Sequence, residues 1–408
     1  MKVIYERCCG VDVHKNMVMA CIYVGRKKEI RKFGTMTDEL EEMIVWIRTK
    51  SCEVVAMEST GVYWKPVYNL LEEAGLKAIV VNAQHIKGVP GRKTDVKDAE
   101  WIADLVRHGL VKESFIPDRD QRELREITRY RNDLVEERAR EINRIQAVLE
   151  GANIKLASVI TDVSGKTGLG IIRTIISGTT DAAELSKLAQ GSVVKKIPLL
   201  QRAVRGSVRE HQRQMLNHQV RHIEFLDQEI GRLDDEILKK TEYAAQEIEW
   251  LDEMPGIGRR SAERIIAEIG IDMGQFRTAA HFVSWAGLVP ECKESAGKKA
   301  STKIRKGNKF LKSTIVECAC SAIRNKDSFF YARYKKIAAR RGGKKAIIAV
   351  AHSMMVAIYA MLKKKEPFRD LSSKYFYVID KYKILNRNIK SIQKLGFNVI
   401  IEDNNKAS

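Results

Sequence analysis

Cys8-Cys9-Gly10-Val11-Asp12-Val13 is an apolar run with a carboxylate near its end, and its reading decides the fold of the first part of the chain. A short polar break follows, then a second apolar run, MVMACIYV at residues 17–24, and the two predict a β-hairpin. Residues 32–35 can add a third strand. Residues 37–49 are amphipathic with an acidic start, which suits a helix N-terminus. Val54-Val55-Ala56-Met57-Glu58 repeats the opening pattern: a buried-type strand with an acid at its end. A helix at 64–74, a strand at 77–81 and a helix at 95–108 come next, the last with Ala99, Ile102, Ala103, Leu105 and Val106 inward. Strands followed by strand–helix alternation give a mixed α/β sheet with a central parallel part.

In such sheets ligand groups collect at strand ends, which is where Asp12 and Glu58 fall. Asp95 and Asp98, one helical turn apart, share a helix face and can point at the same site. Singly, each acid could be a cap, a salt bridge or a turn residue. Together, unpaired carboxylates repel one another unless a cation sits between them. Oxygen donors of this kind suit a hard divalent cation, and two metals about 4 Å apart could clamp the oxygens of a phosphodiester. His14 and His108 lie near the same elements and read as surface or capping residues rather than ligands. Lys15 and Lys97, beside the acids, could contact phosphate or offset charge.

The chain of 408 residues carries 72 Lys and Arg against 52 acids, a net charge of +20, so the phosphodiester is expected to belong to a nucleic acid. There is no apolar stretch of 18 residues or more, so no membrane partner is expected. The start of the chain lacks a signal-peptide core. The seven cysteines form no CxxC pair and no Cys/His zinc spacing, which points to buried reduced thiols. The expected location is the cytoplasm, and the family resemblance given below implies a prokaryotic one in association with the nucleoid.

Beyond residue 118 the chain changes character. Leu124, Ile127, Leu134, Ile142, Ile145 and Leu149 recur near heptad spacing among dense charge, and Leu216, Val220, Ile223, Leu226, Ile230, Leu233 and Ile237 do so again. Two long helices with an insertion at about 151–206 fit either a helical hairpin or a dimerising coiled coil. Met254-Pro255-Gly256-Ile257-Gly258 before a helical run resembles a helix-hairpin-helix turn, whose N–H groups can accept phosphate, although the same turn can simply join two helices. The fold class is therefore α/β plus all-α. The expected domains are 1–118, a coiled-coil region at 119–247, an α-rich domain at 248–365 and a basic tail at 366–408, to which no chemistry is assigned.

Ser295 has small neighbours, Ala296 and Gly297, and a lysine cluster, Lys298 and Lys299, which would let a phosphate backbone approach. A serine needs activation to act as a nucleophile, and no His–Asp pair stands beside it. Chemistry alone does not separate it from Ser301 or Ser313.

GVDVHK (10–15), AMESTGVYW (56–64), GRKTDVKDAEWIADL (91–105), PGIG (255–258), AGLVP (286–290), ESAGKK (294–299) and RKGNKFLK (305–312) together resemble the DEDD transposases. These are the insertion-sequence recombinases of the IS110 family, and ESAGK resembles its IS1111 subgroup. The resemblance covers about 1–150 and 245–365. It implies a RuvC-like (RNase H-like) N-terminal domain, a coiled-coil linker and a transposase domain with a helix-hairpin-helix-like turn. It also implies Asp12, Glu58, Asp95 and Asp98 as ligands of Mg2+ (or Mn2+), and Ser295 as a nucleophile forming a phosphoserine link to DNA, with Ser301 as the fallback. The partners so implied are element and target DNA, a noncoding bridge RNA as guide, and further copies of the chain, dimers assembling to tetramers with composite sites. Candidate nucleic-acid contacts are Lys15, Arg92, Lys93, Lys97, Gly256, Gly258, Lys298, Lys299, Arg305, Lys306 and Asn308. Two alternatives are a metal-dependent nuclease or junction resolvase, in which water attacks, and a non-enzymatic nucleic-acid-organising protein.

Overall fold

The computed structural model describes residues 2–59, 61–81, 95–111, 113–291, 293–295, 298–301 and 303–400, without the side chains of 95–97, 293–295, 298–301, 376–380 and 383. The chain divides into two compact units, Met1–Asp118 and Arg119–Ser408.

The first unit is a five-stranded mixed sheet: β1 (Arg7–Val13), β2 (Val18–Val24), β3 (Lys27–Phe33), β4 (Val54–Glu58) and β5 (Ala78–Val81), in the order β3-β2-β1-β4-β5. β1, β2 and β3 form an antiparallel meander, while β4 pairs parallel to β1 and β5 parallel to β4. This arrangement is compatible with a RuvC-like domain. β3 begins at Lys27, five residues before the expected strand. Its sequence KKEIRKF has little apolar signal because it lies at an edge, with most of its side chains in solvent.

Alternation along β1 sends Cys9, Val11 and Val13 to one face, where they pack with α1 (Thr37–Thr49) and α2 (Trp64–Glu73) through Leu40, Met43, Ile47, Val67 and Leu71. Cys8, Gly10 and Asp12 take the other face, with α3 (Asp95–Arg107). There Cys8, Val54, Ala56, Ile79 and Val81 pack against Ile102, Leu105 and Val106. Gly10 sets how closely α3 can lie. A Cβ at Gly10 would meet Ala103 N at 2.3 Å and Ala99 O at 2.4 Å, so only glycine admits this contact. Burial pushes the thiols of Cys8, Cys21 and Cys52 up to about 12, which keeps them neutral.

Among the described residues the second unit is helical apart from one two-stranded ladder. α4 (Arg119–Gly151) and α9 (Glu210–Lys240) pack on each other along their lengths as an intrachain hairpin. Arg131 to Asp234 (2.8 Å), Arg138 to Asp227 and Lys240 to Glu123 (3.3 Å) tie the pair, and the pairing runs antiparallel. Between them, α5 (Leu156–Val159), α6 (Lys166–Ile176), α7 (Ala182–Ser186) and α8 (Ile197–Ala203) close over the far end of the hairpin. Their Leu156, Ile171, Ile172, Ile175, Leu185 and Leu200 share one core with Ile145, Leu149, Leu216, Val220 and Ile223 of the long helices.

The remainder holds α10 (Ala245–Asp252), α11 (Arg259–Ile269), α12 (Ala279–Trp285), β6 (Lys293–Ser295), β7 (Lys298–Ser301), α13 (Lys309–Ala322), α14 (Phe329–Arg341), α15 (Gly343–Lys364) and α16 (Lys374–Lys394). α15 is long and apolar enough to cross a bilayer, although its sequence holds no unbroken apolar run of 18 residues. Ala346, Val350, Met354, Met355, Ile358 and Leu362 are buried within the unit, so one side of the helix serves as its core.

Candidate functional site

The parallel register pairs Val11 with Met57, so the next residues, Asp12 and Glu58, stand side by side at the ends of β1 and β4. Neighbouring strands lie about 4.8 Å apart. Alternation puts both acids on the face covered by α3, whose first turns carry Asp95 and Asp98. Asp12 is 5% exposed, and Glu58 and Asp98 are half-buried. Burial pushes the Asp12 carboxyl above its usual range, His14 opposes that shift, and the negative charges of Asp98 and Glu58 add to it. The structure therefore brings Asp12, Glu58 and Asp98 to one end of the sheet. Asp95 is on the same helix, with its side chain outside the described residues.

His14 Nε2 lies 3.0 Å from Asp12 Oδ2, a contact the sequence reading missed by treating His14 as a surface residue. The turn that aims it back is closed by His14 N–H donating to Met17 O at 2.9 Å. His108 caps the end of α3 through Asp104 O at 2.9 Å, as expected of a capping residue. Lys15 is exposed, and its carbonyl accepts from Thr35 Oγ1 at 3.2 Å. Arg92 and Lys93, and the side chain of Lys97, lie outside the described residues.

The donor set is all oxygen and mutually repulsive, which suits a hard divalent cation. Among the described residues, however, no three Asp, Glu, His or Cys side chains close into a group able to hold a metal ion. The acids are assembled by topology but not drawn together. Asp12 Oδ1, Glu58, Asp98 and, by its helical position, Asp95 are the residues that would hold such an ion.

In the second unit the PGIG turn joins α10 to α11. Gly256 has φ +86°, and a Cβ on it would meet Ala322 N and Cys318 O, each at 2.4 Å. It packs against the end of α13, and this structural demand accounts for the glycine without a phosphate. Gly258 precedes α11 and faces open space.

Two further motif glycines hold the base of an arm. A Cβ on Gly307 would meet Gly287 N at 2.4 Å and Trp285 O at 2.6 Å, so the AGLVP and RKGNK segments cross backbone on backbone. From that crossing an antiparallel ladder runs outward: Arg305 N–H donates to Val289 O (3.0 Å), Pro290 bridges Ile304, and Glu291 N–H donates to Lys303 O (2.8 Å). It continues as β6 against β7, Lys293 opposite Ser301, Glu294 opposite Lys299 and Ser295 opposite Lys298. Ser295 is thus the last paired residue of its strand. Ala296 and Gly297 lie outside the described residues, as do the side chains of Ser295, Lys298, Lys299 and Ser301. Ser313 donates to Glu317 Oε1 at 3.3 Å on α13, away from the arm.

Arg305 and Lys306 are exposed at the arm's base. Asn308, taken from the sequence as a nucleic-acid contact, is occupied instead. Its Oδ1 caps α13 by accepting from Phe310 N–H and Leu311 N–H at 3.1 Å, and its Nδ2 donates to Glu268 Oε2 at 2.6 Å. Glu268 is 3% exposed and also accepts both arms of the Arg129 guanidinium, at 2.7 and 2.8 Å. Gln121 adds two bonds to Ile266 O and Ala267 O, at 2.8 and 2.7 Å. No sequence signal marks this cluster, since Arg129 and Glu268 are 139 residues apart.

Residues 9–154 match a family of IS110-type DEDD transposases described as "Transposase", and residues 248–335 match the "Transposase IS116/IS110/IS902 family". The "Transposase for insertion sequence element IS1111A" of Coxiella burnetii is 24% identical over 88% of this chain and 90% of its own length. The "Probable family 20 transposase" of Pseudomonas aeruginosa is 25% identical over 88% of this chain and 94% of its own. The acids of the first unit and the serine-bearing arm of the second fall within the two matched segments, and the relatives span both. The chain belongs to the IS110 family of insertion-sequence transposases.

Proposed function

We propose that this transposase is a site-specific DNA recombinase in which Ser295 is the nucleophile, Asp12, Glu58, Asp95 and Asp98 hold Mg2+ or Mn2+, and a structured noncoding RNA guides the choice of DNA. The observation that carries the reading is the meeting of Asp12, Glu58 and Asp98 at one end of the sheet, where burial and mutual repulsion call for a cation. A divalent ion bound there would supply charge neutralisation at the non-bridging phosphate oxygens. Ser295 Oγ gives up its proton and forms a bond to phosphorus while the bond from phosphorus to one deoxyribose oxygen breaks. That oxygen leaves and takes up a proton. Attack by a deoxyribose hydroxyl of another end then reverses the exchange and frees the serine. Lys298, Lys299, Arg305 and Lys306 would hold the phosphate backbone along the arm.

In this reading 1–118 is a RuvC-like domain, 119–247 a coiled-coil region with its insertion, 248–365 the transposase domain and 366–408 a basic tail. The serine and the acids lie in different units of the chain, which favours a composite site made between copies in a dimer or tetramer. The resemblance rather than any contact supports the guide RNA.

The test is Ser295→Ala on end-labelled element DNA with Mg2+. Cleavage and the protein–DNA adduct are expected to vanish together, while Ser301→Ala keeps both. Cleavage that persists without an adduct would instead favour a metal-dependent nuclease or resolvase with water as nucleophile. That second reading has in its favour that all four acids sit within the first unit. If Asp12→Asn left every activity intact, both enzymatic readings would fall to a nucleic-acid-organising role.

A further inference from the structure

The helix α16 carries none of the residues used so far. Its start is anchored: Ser373 N–H donates to Asp327 O at 2.8 Å, and Tyr375 meets the Phe329 ring edge-on at 5.3 Å. Just before it, Phe368 stacks on Phe330 at 5.7 Å. From Lys381 to Lys394 every described side chain is exposed or half-exposed. The helix holds six Lys and Arg and one acid, Asp380. A helix of 21 residues with so little packing is marginal in water by itself.

Its side chains are sorted by face. At 100° per residue, Arg387, Lys390 and Lys394 fall within an arc of about 60°. Asn386 and Ser391 flank them, and these five residues line one shallow groove. Among the described residues none of the three cations has an acidic partner. Leu385, Ile389 and Ile392 lie on the far side. The basic face is exposed, whereas the opposite side is half-buried at Leu385 and Ile389.

We propose that this face is a docking surface for the backbone of duplex DNA. Arg387 to Lys394 spans about 10 Å of helix, over which duplex DNA presents about six phosphates, so three cations at this spacing can each meet one. Asn386 adds a neutral donor at one edge of the groove, while the Ser391 hydroxyl donates to Arg387 O at 2.9 Å. The surface lies outside both family-matched segments. The reading goes beyond the serine mechanism, and binding is measured in chelator, without cleavage, so its failure and the failure of that mechanism are separable.

The test uses the full chain, wild type and Arg387→Ala/Lys390→Ala/Lys394→Ala, with a random-sequence DNA duplex in EDTA. Affinity is followed from about 50 to 200 mM salt. Three lost phosphate contacts should lower the slope of log K against log salt by about 2.7, and each single Ala variant by about 0.9. Arg387→Lys/Lys390→Arg/Lys394→Arg should keep the wild-type slope, which separates charge from folding. An unchanged slope in the Ala variants overturns the proposal. So does a slope that changes only on single-stranded RNA. Loss of binding to phosphatidylserine vesicles with the DNA slope intact would assign the face to a lipid surface and overturn it too.

Discussion

Asp12 and Glu58 end strands that are flanked on both sides by other strands, whereas Ser295 ends a three-residue strand with one neighbour. The acids inherit their positions from a closed core. β1 and β4 are central, Val11 is locked opposite Met57, and α3 is held against Gly10 by backbone contact. The serine inherits its position from the base of an arm, where Gly287 and Gly307 cross, and from a ladder that thins outward. The acidic end is fixed by strands on both sides and a helix above, while the serine's strand is paired on one side only.

The largest expected effect tests whether the rigid end is chemical or merely structural. Asp12→Asn should reduce strand cleavage by at least about 10³-fold, the scale of losing a group that acts with others as a unit. Its stability should move the opposite way. The Asp12 carboxyl is raised above its ordinary 3.8 by burial, so it contributes stability when protonated, below that value. That contribution is lost as pH rises through the raised folded value. At neutral pH in chelator the wild type carries the buried charge, and Asp12→Asn, which can still accept from His14, should melt higher. A lower melting temperature in EDTA would mean that Asp12 is a structural carboxylate and would remove the contrast between the two regions.

Next in size are the glycines that fix each region. Gly10→Ala drives a Cβ to 2.3 Å from backbone and should cost more than about 3 kcal/mol, read as loss of a cooperative transition. Gly307→Ala meets Gly287 N at 2.4 Å at the foot of the arm. If the arm is an appendage, this change should lower adduct formation much more than it lowers the melting temperature. Equal damage to fold and activity from both substitutions would show that the arm is as much part of the core as the acidic end is.

These glycines also mark where the sequence could be read and where it could not. The acids were legible because a buried strand alternates with period two, and a carboxylate at its end breaks the apolar pattern visibly. β3 was misjudged by five residues because an edge strand of Lys, Glu and Arg carries no such pattern. Gly10, Gly256 and Gly307 each answer to a backbone 20 to 93 positions away, and no local motif encodes that distance. Asn308 read as a phosphate contact from its basic neighbours, yet it caps α13 and binds a glutamate 40 residues back. Ser295 was indistinguishable by chemistry from Ser301, and only the resemblance selected it. The insertion at 151–206 offered no period because its short helices share their core with the ends of α4 and α9.

The smallest effects compare ion pairs within the second unit. Glu268 is buried beneath Arg129 and Asn308, so Glu268→Ala leaves a half-buried guanidinium and an amide without their acceptor and should cost about 3 kcal/mol. Arg138 and Asp227 join α4 to α9 at the surface, where the aspartate side chain is 48% exposed. Solvent screens that pair, and holding two long side chains in one geometry costs entropy, so Arg138→Ala should cost no more than about 1 kcal/mol. Urea midpoints for the two variants check the ranking. If Arg138→Ala proved as costly as Glu268→Ala, the hairpin would depend on its charged seam rather than on the shared apolar core at its far end. The long helices would then be held like the arm, by contacts along a thin line, and not like the acidic end, by a core.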